Sequence, residues 1–99
     1  MRISDAHIRT IRRITAEQLG REAVVTLFGS RVDDTQRGGD IDLLLTVPHH
    51  VARPALTAAR LAAKLERALD GRRVDGVLQT PETPIEPVHS IAMQHGIRL

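Results

Sequence analysis

The chain has 99 residues, of which 14 are basic and 12 acidic, is 41% apolar, and contains no cysteine, tryptophan or tyrosine. That length predicts one domain, residues 1–99, near the lower limit at which a single hydrophobic core holds itself together. The composition excludes a disulfide framework and a thiolate metal site. No apolar run approaches the roughly 20 residues that span a bilayer, and Met1-Arg2-Ile3-Ser4-Asp5 lacks the apolar centre of a signal peptide, so the expected location is cytoplasmic.

Thirteen arginines stand against the single Lys64, yet the net charge is only +2. A nucleic-acid-binding surface normally carries a larger excess of positive charge and aromatic residues for base stacking. Phe28 is the sole aromatic residue, so direct nucleic-acid binding is not expected. The core must be built from Leu, Ile, Val and Ala, which predicts modest stability or support from a partner.

Ser4 is a suitable N-cap for a first helix over residues 5–20, ended by Gly20. Ile8, Ile11, Thr15 and Leu19 form its apolar stripe, with Arg9, Arg12, Arg13 and Glu17 at the flanks and rear. Residues 23–28 read as a buried strand. A loop over residues 31–39 follows, and a second strand over 40–47 is ended by Pro48. The second helix is expected over residues 51–70, closed by Gly71, with Ala55, Ala58, Leu61, Ala62, Leu65 and Leu69 as its stripe. Leu56, Ala52, Ala59 and Ala63 sit roughly opposite, either as helix formers on a solvated face or as a small apolar contact patch for another subunit or partner.

A third strand is expected over residues 72–78. Pro81, Pro84 and Pro87 forbid regular structure in the next segment, and a short helix over 89–94 stopped by Gly96 completes the reading. The loop after the first strand makes an antiparallel pair easiest. The helix between the second and third allows a parallel crossover. The fold class is α+β: a small mixed sheet with helices packed on it, in the order α-β-(turn)-β-α-β-α.

The chemistry concentrates where these strands begin and end. Asp40 and Asp42 lie two apart at the start of a strand, so both carboxylates face the same side. Like charges that close repel, and a divalent cation with oxygen ligands relieves them. The parallel crossover brings Asp75 to the same strand ends as a third carboxylate. An all-oxygen set suits Mg²⁺ or Mn²⁺ rather than Zn²⁺. In two-metal phosphoryl chemistry one ion stabilises leaving pyrophosphate and the other activates the attacking oxygen, with Asp75 placed as base or second-ion ligand. Gly29 permits close backbone approach at the end of the first strand, and Ser30 can bond a phosphate oxygen. Arg31 is either a phosphate clamp or a surface arginine; Arg37 before Gly38-Gly39 is either a clamp or turn chemistry. Asp33 and Asp34 read as solvated loop charges. None of the five histidines falls into a metal-ligand spacing, and His49-His50 reads as a turn. A phosphate site beside a metal site points to nucleotide chemistry.

Phe28-Gly29-Ser30-Arg31, then Asp40-Ile41-Asp42-Leu43, then Val74-Asp75-Gly76-Val77 resembles the minimal nucleotidyltransferase family of the DNA polymerase β superfamily. The resemblance covers nearly the whole chain, including the first helix and a tail of short helix, glycine and apolar end. It implies the polymerase β-like fold and Mg²⁺-dependent transfer of AMP, or another nucleoside monophosphate, from ATP or another nucleoside triphosphate to a hydroxyl. By position, Gly29 and Ser30 would hold the triphosphate, Asp40 and Asp42 would ligate metal, and Asp75 would be the third acid. Small members are often encoded beside a helical HEPN-type ribonuclease toxin and act as its antitoxin, some by adenylylating a tyrosine near its catalytic site. Gly76 departs from the longer hydrophobic pair that many relatives carry there; it faces opposite Asp75 and bears on packing rather than on metal binding.

Three functions are thus expected, in order: an adenylyltransferase acting on a partner protein, a non-catalytic antitoxin that neutralises by complex formation, and a nucleotidyltransferase for a small molecule such as an aminoglycoside. The chain is too short to carry an acceptor domain, so the acceptor is expected to come from a partner or a homo-oligomer.

Overall fold

The computed structural model describes residues 3–28, 41–83 and 96–99. Helix α1 (Asp5–Leu19) leads into strand β1 (Val24–Phe28), then β2 (Ile41–Thr46), helix α2 (Pro54–Ala68), β3 (Val74–Gln79) and β4 (Ile97–Arg98). The expected short helix over 89–94 lies outside the described residues, as does the loop over 31–39.

The start of α1 follows its sequence signal. The Ser4 hydroxyl accepts the His7 backbone N–H at 3.1 Å, which satisfies one of the orphan donors of the first turn. Gly20 closes the helix at φ 95°, a left-handed conformation that glycine reaches without a Cβ clash.

Helix α2 begins three residues later than its apolar pattern predicts. Pro54 occupies the first turn, where its missing N–H costs nothing, and it disfavours helical backbone at Arg53. Ala55, expected in the buried stripe, is exposed as a result, whereas Ala58, Leu61, Leu65 and Leu69 are buried as expected. Gly71, at φ 79°, donates its N–H to the Glu66 carbonyl at 2.8 Å and turns the chain toward β3.

The sheet has the order β3-β2-β1-β4. β1 and β2 are antiparallel and β2 and β3 parallel, as expected from the connections. The tail departs from expectation: Ile97–Arg98 forms a strand antiparallel to β1, with Leu99 N–H donating to Val25 O at 2.8 Å. Two residues are too few to show a period, so only the pairing defines this strand. β3 starts at Val74 rather than at the expected Arg72.

Register sorts the side chains into two faces. Val25 pairs with Leu45 and Leu27 with Leu43, while Ile41, Leu43 and Leu45 pair with Val74, Gly76 and Leu78. These positions form one face and join Ile11, Ile14 and Leu19 of α1 and Leu61 and Leu65 of α2 in the core. A Cβ added at Gly76 would point into this layer, 3.5 Å from Leu45 Cδ1 and 4.0 Å from the Ala58 carbonyl. That agrees with its reading as a packing position.

Candidate active site

Phe28 pairs with Asp42, and Asp42 pairs with Asp75, so the three residues form one row across β1, β2 and β3. Row neighbours project to the same face, here the face opposite the core. In-register positions on adjacent strands are about 4.8 Å apart, which puts the two carboxylates within reach of one small ligand. Asp42 is half-buried and Asp75 exposed. The Arg73 guanidinium lies 4.0 Å from the Asp75 carboxylate.

The start of β3 is held from both sides. Arg73 O accepts the Ile41 N–H at 2.9 Å, tying it to β2. Backbone groups alternate along a strand, so the next N–H, that of Val74, points away from β2. It donates to Glu66 Oε1 at 2.9 Å. Glu66 thus pins the residue beside Asp75 while its own carbonyl closes the turn at Gly71. The helical pattern of α2 gives no sign of this, because Glu66 reads as one more polar position beside the stripe. The only available signal is an acid in the last turn of a helix running straight into a strand.

Asp40, Gly29, Ser30, Arg31 and Arg37 lie outside the described residues. The described part therefore brings together Asp42 and Asp75 of the expected set. No group of three metal-binding side chains occurs among the described residues. The donors present fit a hard cation: two carboxylates from adjacent strands, on one face, with Asp75 exposed to solvent.

His49 and His50 contact segments distant in the chain. His49 Nε2 lies 3.2 Å from Leu19 O, at the end of α1, and Nδ1 lies 3.2 Å from His50 O. Two carbonyl acceptors favour the doubly protonated ring; the His50 carbonyl contributes most and the Leu19 carbonyl next, raising the His49 pKa above 6.5. His50 Nδ1 lies 3.3 Å from Glu82 Oε1. The Glu82 carboxyl is held below its ordinary range, first by its own backbone N–H and further by the Thr80 hydroxyl and His50.

Beside Asp75, a groove of about 790 Å³ runs along the outer edge of β3 against α2, with Ala55, Ala59, Ala62 and Val77 among its lining. No helix among the described residues is long and apolar enough to cross a membrane.

Residues 8–99 match the nucleotidyltransferase domain family, a span that takes in both helices from Ile8 onward, all four strands and the Asp42–Asp75 row. No curated protein matches the chain. The fold is that of the polymerase β-like nucleotidyltransferases, and the family's general chemistry is transfer of a nucleotidyl group from a nucleoside triphosphate. The chain belongs to the nucleotidyltransferase domain family.

Proposed function

We propose that the protein transfers AMP from ATP to a hydroxyl on a partner protein, and that the partner is a HEPN-type toxin which the transfer silences. The observation that carries the catalytic part is the register Asp42 to Asp75, which sets two acids side by side on one face at the strand ends. Asp40, Asp42 and Asp75 would hold Mg²⁺ or Mn²⁺, which when bound offsets the charge of the triphosphate and of departing pyrophosphate. Gly29, Ser30 and Arg31 would hold the phosphates. Asp75 takes the proton of the acceptor hydroxyl as its oxygen bonds to the α-phosphorus and the bond to pyrophosphate breaks. The apolar groove next to Asp75 is the surface on which an acceptor side chain can lie.

The test is labelling of a co-expressed partner by ATP carrying a tagged α-phosphate. Asp42→Asn is expected to lower labelling by about 10³-fold or more, in line with loss of a group that positions charge in the transition state. Full labelling by that variant would overturn the assignment.

One observation favours a second reading, neutralisation by binding alone. Leu56 is 38% exposed on the face of α2 that carries Ala59 and Ala63. Neutralisation that survives Asp42→Asn but is lost in Leu56→Asp would favour this reading over catalysis.

A further inference from the structure

At the other end of β1 from the carboxylate row, a cavity of about 430 Å³ opens between α1, the turn into β1, and β4. Val24 in its lining lies four positions before Phe28 in β1, roughly 13 Å along a strand. Arg9, Arg12 and Arg13 from α1, Arg21 from the turn and Arg98 from β4 line it, and among the described residues no acidic side chain does. Arg13 is drawn to Glu17 at 3.2 Å. Among the described residues, Arg9, Arg12, Arg21 and Arg98 have no ion-pair partner. Four arginines without an ion-pair partner, brought to one cavity from three elements, repel one another, and an anion between them relieves that repulsion.

The wall of the same cavity holds a second unsatisfied group. Thr15 lines it and is 1% exposed, and its hydroxyl has no hydrogen-bond partner. A mid-helix threonine usually returns its hydroxyl to the carbonyl four residues back, as Thr10 does to Ala6 O at 3.0 Å. Thr15 does not, and a buried hydroxyl without a partner is costly.

We infer that this arginine cleft is an anion site separate from the carboxylate row, and that its ligand is a compact polyphosphate: inorganic pyrophosphate or the phosphate tail of a nucleotide. Planar guanidinium forks match phosphate oxygens in pairs, and several of them together require a multiply charged anion. The volume lies at the small end for ligand sites. No aromatic residue is near to hold a base, since Phe28 sits at the far end of β1. Recognition therefore rests on the phosphates. This reading does not depend on which acceptor the catalytic end uses.

The experiment is calorimetric titration of pyrophosphate into the full chain in EDTA-containing buffer, with ATP and sulfate as parallel ligands at equal ionic strength. Wild type is expected to bind pyrophosphate at one site and sulfate much more weakly. Arg9→Gln/Arg12→Gln, at two exposed helix positions that leave the core untouched, should weaken binding by about tenfold or more. Asp42→Asn/Asp75→Asn should retain it. ATP binding as tightly as pyrophosphate would identify the phosphate tail as sufficient; ATP binding much tighter would identify a nucleotide as the ligand. The proposal is overturned if the double arginine variant binds like wild type, if the carboxylate variant loses binding, or if sulfate matches pyrophosphate. It is also overturned if a single-stranded RNA binds through these arginines while pyrophosphate does not.

Discussion

The two ends of the sheet carry opposite charge and are built in opposite ways. At one end, Asp42 and Asp75 are neighbours because two strands pair in one particular register. A slip of one residue would send either side chain to the core face. At the other end, five arginines reach one cavity from a helix, a turn and a short strand, each on a long flexible stem. The acidic end is specified by the backbone, the basic end by side-chain composition. A change in packing should therefore damage the first far more than the second.

Glu66 offers the sharpest way to break that contrast. Glu66→Ala removes the acceptor for the Val74 N–H and is expected to destabilise the protein by about 1–2 kcal/mol, the range for a partly exposed bond to a charged group. Nucleotidyl transfer should fall further than the stability loss alone explains, because the start of β3 shifts. Glu66→Gln, whose amide oxygen still accepts, should restore most of both. Pyrophosphate binding at the opposite end should be unchanged in either variant; calorimetry and thermal melts on the same preparations check this.

A smaller effect, confined to the basic end, comes from His49. Its pKa is raised in the folded state by the His50 and Leu19 carbonyls. A raised folded pKa means the stabilisation is fully present below the unfolded value of 6.5 and is lost as pH rises through the folded value. The melting temperature should decline across that window, and His49→Asn should flatten the decline. Because the ring is exposed, the change is expected to be slight. The smallest effect is expected at Gly76. A methyl group there meets Leu45 at ordinary contact distance, so Gly76→Ala should change stability by less than about 1 kcal/mol and leave labelling intact.

Much of this organisation can be read from residue order. Ser4 and Gly20 bound α1 because capping is local chemistry. The meeting of Asp42 and Asp75 follows from a helix-linked crossover that leaves the two strands parallel. What escapes is set by partners distant in sequence. Glu66 matters only because of where β3 begins, and Ile97–Arg98 is a strand only because β1 is beside it. Arg9, Arg12 and Arg13 read as a solvated flank of α1 until Arg21 and Arg98 are seen on the other walls. Pro54 is different: its preference for the first turn of a helix could have moved the start of α2 without any structure.

The short strand β4 also has a kinetic meaning. It pairs Arg98 with Thr26 and Ile97 with Leu27, contacts that close most of the chain into a loop for only two residues of ladder. Loop closure over such a separation is entropically costly, and so short a ladder repays little of it. This pairing is therefore expected to form late in folding and to open readily in the native state, which hydrogen exchange at Leu99 N–H would check. Each opening would carry Arg98 away from the arginine cleft, so an anion bound there would favour the closed strand.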